Sequence, residues 1–229
     1  MSDPISGISS MATRSVLDEL VQEYGRLSGQ RVSIESVGGV AAARRVEDGE
    51  AFDVVVLASD VIDRLSAAGR VVPGSRVDLV RSGVAVAVAN GAPRPDIGTE
   101  AALRAAILGA RTVGYSTGPS GSHLVRLFER WGIAECIASR IVQAPPGVPV
   151  GALIARGEVE LGFQQLSELM HLPDIDVIGA LPGDIQITTI FAAGICSVSA
   201  KREATKALLS FLASPQAEAA KRRNGMEPA

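Results

Sequence analysis

The feature that most constrains this chain is its alternation of short apolar β-branched runs with stretches of helical periodicity. Phe52-Asp53-Val54-Val55-Val56-Leu57 is the clearest run, and an almost unbroken apolar run is the mark of a strand inside a parallel sheet. Over residues 11–27, Val16, Leu17, Leu20, Val21, Tyr24 and Leu27 recur at helical spacing. The same reading places further strands at 5–8, 31–36, 112–115, 137–143, 160–163 and 176–178. Helices are expected at 40–48, 58–68, 99–108, 121–131, 148–156, 164–170, 204–213 and 215–223. Gly69 stands where one helix would be capped. Such alternation predicts an α/β protein of mostly parallel sheets flanked by helices.

Two strand-like stretches, 76–89 and 186–199, exceed the usual length of about 5–6 residues. Strands of that length can carry the chain from one lobe to another and back. The expected division is residues 1–82 plus 192–229 as lobe 1 and 83–191 as lobe 2. A chain of 229 residues suits two lobes of about 100 residues each.

Composition removes several function classes. A formal charge of −3 supplies no basic field to gather nucleic acid, and 2 Tyr, 1 Trp and 5 Phe make no base-stacking platform. No run approaches the ~20 apolar residues that cross a bilayer, so no membrane insertion is expected. Cys136 and Cys196 form neither a zinc site nor a CxxC pair and read as two free core thiols. Neither the cysteines nor the two distant histidines suggest a metal, and no cofactor is expected.

Four expected strand-to-helix junctions carry small or hydroxyl residues: Ser9-Ser10, Gly38-Gly39, the run Ser116-Thr117-Gly118-Pro119-Ser120-Gly121-Ser122, and Pro145-Pro146-Gly147 with Val148 opening the helix after it. A helix start has unpaired N–H groups and a partial positive charge. Glycine lets a ligand approach the backbone and serine adds a donor, so such ends bind anions with few formal charges. In a parallel sheet all four lie at strand carboxyl ends, where open α/β folds bind ligands. Each junction by itself also fits ordinary capping. The Ser116–Ser122 run is the most informative, with more small polar residues than a cap needs. No Lys follows its glycine as in a phosphate-binding P-loop.

Charged candidates are fewer. Arg14 in the first helix and Arg81 on the first long strand are positioned to fork onto a carboxylate. His123, after the serine loop, is the candidate base, with Tyr115 and Ser116 behind it. Gln164 and Gln165 follow a strand, and at least one is expected to face inward.

Ser9-Ser10 opening the first helix, Gly49-Glu50-Ala51-Phe52-Asp53-Val54-Val55-Val56, Gly157-Glu158-Val159-Glu160-Leu161-Gly162 and the tail Phe211-Leu212-Ala213-Ser214-Pro215 together resemble the molybdate-binding-protein-like family of solute-binding proteins, over nearly the whole chain. The resemblance implies a type II periplasmic-binding fold with two lobes, a two-strand hinge and a cleft that closes on its ligand. Molybdate binders of that family present serines at the first two junctions and a tyrosine after the Gly-Glu-x-Glu-x-Gly strand. Here those places hold Gly38-Gly39-Val40 and Gln164-Gln165, which points away from molybdate or tungstate. The chain is more similar to the branch that includes aconitate isomerase, which handles a tricarboxylate. The closing Gly225-Met226-Glu227-Pro228 belongs to that likeness.

The resulting expectation is a protein that binds a small carboxylate or oxyanion in an interlobe cleft. The alternative is a cytoplasmic isomerase of an unsaturated polycarboxylate, which needs a base near the reacting carbon and donors for the developing charge. The ligand domain of a regulator ranks last, since the chain carries no helix-turn-helix. Met1-Ser2-Asp3-Pro4 lacks the basic and apolar regions of a signal peptide, so the expected location is the cytoplasm, or the periplasm if a signal peptide has been removed. A transporter permease is an expected partner only for an exported protein.

Overall fold

A computed structural model describes residues 3–229. Met1 and Ser2, part of the signal-peptide reading, lie outside the described residues. By packing, the chain divides into two units: residues up to Arg81 together with Ile190–Ala229, and Ser82–Thr189.

The first unit runs β1 (Ile5–Ser10), α1 (Arg14–Ser28), β2 (Val32–Val37), α2 (Gly39–Glu47), β3 (Val54–Ala58), α3 (Ser59–Ala67) and the first part of β4 (Val77–Ala89). The second unit takes up the rest of β4, then α4 (Glu100–Gly109), β5 (Val113–Tyr115), α5 (Pro119–Arg130), α6 (Ala134–Ile137), β6 (Ile141–Gln143), α7 (Val150–Ala155), β7 (Leu161–Gln165), α8 (Leu166–Leu169), β8 (Ile175–Ala180) and the start of β9 (Thr188–Ile195). The chain returns to the first unit along β9 and ends with α9 (Arg202–Leu212), α10 (Glu218–Arg223) and β10 (Glu227–Pro228).

In the first unit β2, β1 and β3 are parallel neighbours, and β9 lies antiparallel on β3. Every residue of β3 is buried, because both of its faces are covered. Val54 and Val56 pack with Leu17, Leu20, Leu208 and Leu212 from α1 and α9. Val55 and Leu57 pack with Ala42, Val46, Ile62 and Leu65 from α2 and α3. In the second unit β7, β5 and β6 are parallel, and β4 lies antiparallel between β7 and β8. The alternation along β4 sorts large from small. Val84, Val86 and Val88 join Leu103, Ile107, Leu124 and Phe128, while Ala85 and Ala87 join Val150, Leu153 and Ile154 of α7. Gly162 completes the small-residue face, where a Cβ would meet Ile154 at 2.5 Å. The α7 helix therefore sits unusually close to its sheet.

Several expected boundaries move. Residues 137–143 do not form one strand: Ile137 ends α6 and is fully buried, a 3-10 turn spans Ala138–Arg140, and only Ile141–Gln143 pair in the sheet. Arg140 fastens that turn by donating to the carbonyls of Leu108 (2.9 Å) and Ala110 (2.5 Å). The helix expected from Gln164 starts at Leu166, because β7 pairs with β4 through Gln165. Of the two cysteines, Cys196 is buried but Cys136 is exposed. No helix among the described residues is long and apolar enough to cross a membrane.

Candidate functional site

In the first unit β1, β2 and β3 end side by side, with Ser9 in register with Ser36 and Val56. Each strand leads at its carboxyl end into a helical turn: Ser10 into Met11–Thr13 and then α1, Gly38 into α2, Ala58 into α3. None of these three starts is capped by a side chain. Their leading N–H groups and dipoles face outward from the strand ends.

Strand alternation sends the two serines of β1 to opposite faces. Ser9 is committed to the scaffold: its hydroxyl lies 2.8 Å from the Ser36 hydroxyl and donates to the Ser10 carbonyl at 3.3 Å. The Thr13 hydroxyl donates to the same carbonyl at 3.1 Å. Ser10 differs. It is 7% exposed, and its Oγ is the single buried side-chain oxygen or nitrogen without a partner among the described residues. Leaving a buried hydroxyl unpaired costs about 1–3 kcal/mol, so such a group calls for an explanation, a ligand or water among them. The start of α2 lies against it, since a Cβ on Gly39 would be 3.8 Å from the Ser10 Cβ. Gly38 and Gly39 thus keep the backbone open beside the free hydroxyl.

In the second unit the Ser116–Gly118 loop folds back over the first turn of α5. A Cβ on Gly121 would fall 1.8 Å from the Ser116 carbonyl oxygen, so only glycine permits this approach. The fold-back brings the Ser116 and Ser120 hydroxyls to 3.4 Å, with Ser120 buried. Ser122 and His123 are exposed on α5, and the Ser122 N–H already donates to the Gly118 carbonyl. Tyr115 is buried, and burial pushes its phenol up, away from the reactive anion.

The strand ends of β5 and β7 are parallel neighbours, with Tyr115 in register with Phe163. Gln164 and Gln165 are both buried, and both are occupied by the protein itself. The Gln164 carbonyl accepts from the Val150 N–H at 2.7 Å, and its amide nitrogen donates to a carboxylate oxygen of Glu168. With its amide turned so that both ends are satisfied, Gln165 accepts from the Thr189 hydroxyl at 2.9 Å. It then donates to the Ser82 hydroxyl (2.9 Å) and the Gly83 carbonyl (3.2 Å). Val148 is not the start of a helix. Its N–H closes a turn on the Pro145 carbonyl, with Gly147 at φ 81°, and α7 begins at Val150.

The two arginines are spent elsewhere. Arg14 is exposed and pairs with Asp18 at 3.7 Å. Arg81 donates Nε and Nη2 to the Pro228 carbonyl at 3.2 and 3.0 Å, tying down β10.

A profile described as bacterial extracellular solute-binding protein matches residues 5–227. The chain belongs to that family. It is 37% identical over 227 residues to an aconitate isomerase of a Pseudomonas species, an alignment covering 96% of this chain and 86% of the relative. Among solved structures, the periplasmic molybdate-binding protein of Azotobacter vinelandii superposes with a TM-score of 0.80 at 20% identity, covering 97% of this chain and 98% of that one. The sulfate-binding protein SubI of Mycobacterium tuberculosis H37Rv superposes with a TM-score of 0.80 at 14% identity, covering 100% of this chain and 88% of that one. The fold is that of the type II periplasmic binding proteins.

Sequence reasoning missed two parts of these edges. The β3–α3 junction, Ala58-Ser59, is a third uncapped start in the first unit, hidden because its only hydroxyl is one residue inside the helix. Glu168 is half-buried on the short α8, and enclosure pushes its carboxyl up to about 7 while the Gln164 bond pulls the other way. An acidic residue four positions after Gln164, just past an apolar strand, was the available signal.

Proposed function

We propose that this family member binds a small organic carboxylate at its strand carboxyl ends, with Ser10 as a direct donor. The observation that carries the reading is the buried, partnerless Ser10 hydroxyl beside the uncapped start of α2. A carboxylate completes that hydroxyl and meets helix N–H groups without needing an arginine. In the second unit, Ser116, Ser120 and the uncapped start of α5 form a comparable group of donors. The glycine pair at Gly38-Gly39 and the committed Ser9 leave few hydroxyls for a tetrahedral oxyanion, which favours a carboxylate.

Calorimetric titration with citrate, cis- and trans-aconitate, molybdate, tungstate and sulfate tests this. We expect heat from a tricarboxylate and none from molybdate. Ser10→Ala should weaken the complex about 10–100-fold, the range for a hydrogen bond to a charged group. Silence from every carboxylate, or an unchanged affinity in Ser10→Ala, refutes the assignment.

A second reading, isomerisation of an unsaturated tricarboxylate, is favoured by the 37% identity to an aconitate isomerase across 96% of the chain. It is tested by following cis- and trans-aconitate by NMR in the presence of the protein. Location follows the reading: a transport receptor with a permease partner meets its ligand outside the inner membrane, whereas an isomerase can work in the cytoplasm. Fractionation of the native cell separates the two.

A further inference from the structure

Glu168 is a half-enclosed carboxyl at the strand-end edge of the second unit. It lies on α8, which follows directly after β7, and β7 is the parallel neighbour of β5, the strand that leads into Ser116 and the start of α5. One of its oxygens is held by the Gln164 amide, and Gln164 is itself fixed because its carbonyl accepts from the Val150 N–H at 2.7 Å. Among the described residues no cation is paired with the carboxyl. The elements packed most closely against α8 are β7, α7 and β8. The first two contain no titratable side chain, and β8 contributes only Asp176, which pairs with Arg94 at 3.0 Å. His171, shortly after α8, is exposed. A half-buried acid without a cation carries a desolvation cost. A structural role would be served as well by an amide. Glu168 nonetheless keeps partial exposure.

We propose that Glu168 is the acid–base group of this protein, moving a proton between two carbons of an unsaturated polycarboxylate, with Gln164 as the residue that positions it. This rests on the isomerase reading. In the step, the ionised carboxylate takes a proton from a carbon beside a substrate carboxylate. The electron pair of the broken C–H bond enters the conjugated system, and the double bond shifts. The protonated Glu168 then returns that proton to a different carbon, so no oxidant, reductant or net proton is required. Donors at the helix starts hold the extra negative charge meanwhile. A carboxyl held near neutrality is suited to both halves of the exchange.

The test uses the full chain with cis-aconitate as probe, turnover read by NMR and binding by calorimetry. We expect the wild type to interconvert the isomers and Glu168→Gln to lose 100-fold or more in kcat, with trans-aconitate affinity within about threefold of wild type and an unchanged melt. Gln164→Met removes the bond that favours the ionised form. Its pH–rate limb, rising with pH in the wild type, should move to higher pH, a shift that damaged packing would not produce. That profile also serves if Glu168→Gln does not fold. A Glu168→Gln variant within tenfold of wild type, or an unmoved limb in Gln164→Met, overturns the assignment while leaving the isomerase reading intact. A wild type that binds trans-aconitate but interconverts nothing overturns the isomerase reading and the role of Glu168 with it.

Discussion

A methyl group on Gly121 would sit 1.8 Å from the Ser116 carbonyl oxygen and 3.0 Å from the Tyr115 ring. The first obstacle is backbone, so the clash cannot be relieved by a side-chain rotation. We therefore expect Gly121→Ala to cost about 3 kcal/mol, at the upper end of overpacking penalties, measured by urea unfolding. It should also displace Ser116 from Ser120 and weaken carboxylate binding. A variant as stable as wild type would mean that the loop relaxes freely. At this scale the sequence is half legible. Asking where small polar residues meet helix starts singles out Ser10, Gly39 and Ser120, and the structure sets each of them at or beside an uncapped helix start. Which serine is free is not found that way. Ser9 and Ser10 are identical in type and adjacent, and only the register against Ser36 commits one and releases the other. The partners of Arg14 and Arg81 are hidden for a related reason: an arginine's partner is decided by tertiary placement, here Asp18 and the Pro228 carbonyl.

At the scale of elements, the long β-branched strands and amphipathic helices are read correctly because burial on both faces leaves a plain pattern. The short pieces are not. Ile137 looks like a strand residue, yet it reaches the core from a helical turn. Glu227–Pro228 is a strand through its pairing with β4, where the Arg81 side chain also donates to the Pro228 carbonyl. Asp53 illustrates what element joining requires. Placed just before β3, its carboxylate accepts from the Ser6 N–H (2.9 Å), the Ser199 hydroxyl (2.7 Å) and Lys201 Nζ (3.3 Å), stapling β1, β3 and the approach to α9. Burial opposes its charge, but these donors hold the carboxyl below the usual range. A carboxyl whose folded value is depressed contributes stability that is present above its unfolded value, about 3.9, and is lost as pH falls toward the folded one. Melting temperature should therefore drop as pH falls below about 4. Asp53→Asn should be less stable at pH 7 and show a shallower acid slope, shallower rather than flat because Glu19, Glu50 and Asp176 are depressed too. Parallel acid slopes in the two proteins would remove Asp53 from the account.

For the molecule as a whole, the chain enters the second unit at Ser82 and leaves it at Thr189. Gln165 hydrogen-bonds both residues, and Gly83 besides. Gln186 adds a second clasp on the same strands: its carbonyl accepts from the Val84 N–H at 3.0 Å and the Ile187 N–H at 2.8 Å, and its amide donates to the Val84 carbonyl at 3.2 Å. The unit is inserted into the first one, so its two ends must be held together for its sheet to close. Gln165, which reads from sequence as a ligand contact, is thus already engaged in that closure, and the two roles make different predictions. Gln165→Met preserves volume but strands the buried Thr189 and Ser82 hydroxyls. That should cost about 2–3 kcal/mol, or about 5–10 °C of melting temperature for a chain of this size, in the absence of any ligand. A residue that only touched ligand would leave the ligand-free melt where it was and lower affinity alone. A ligand-free melting temperature within about 1 °C of wild type would return Gln165 to the binding edge and leave the clasp to Gln186.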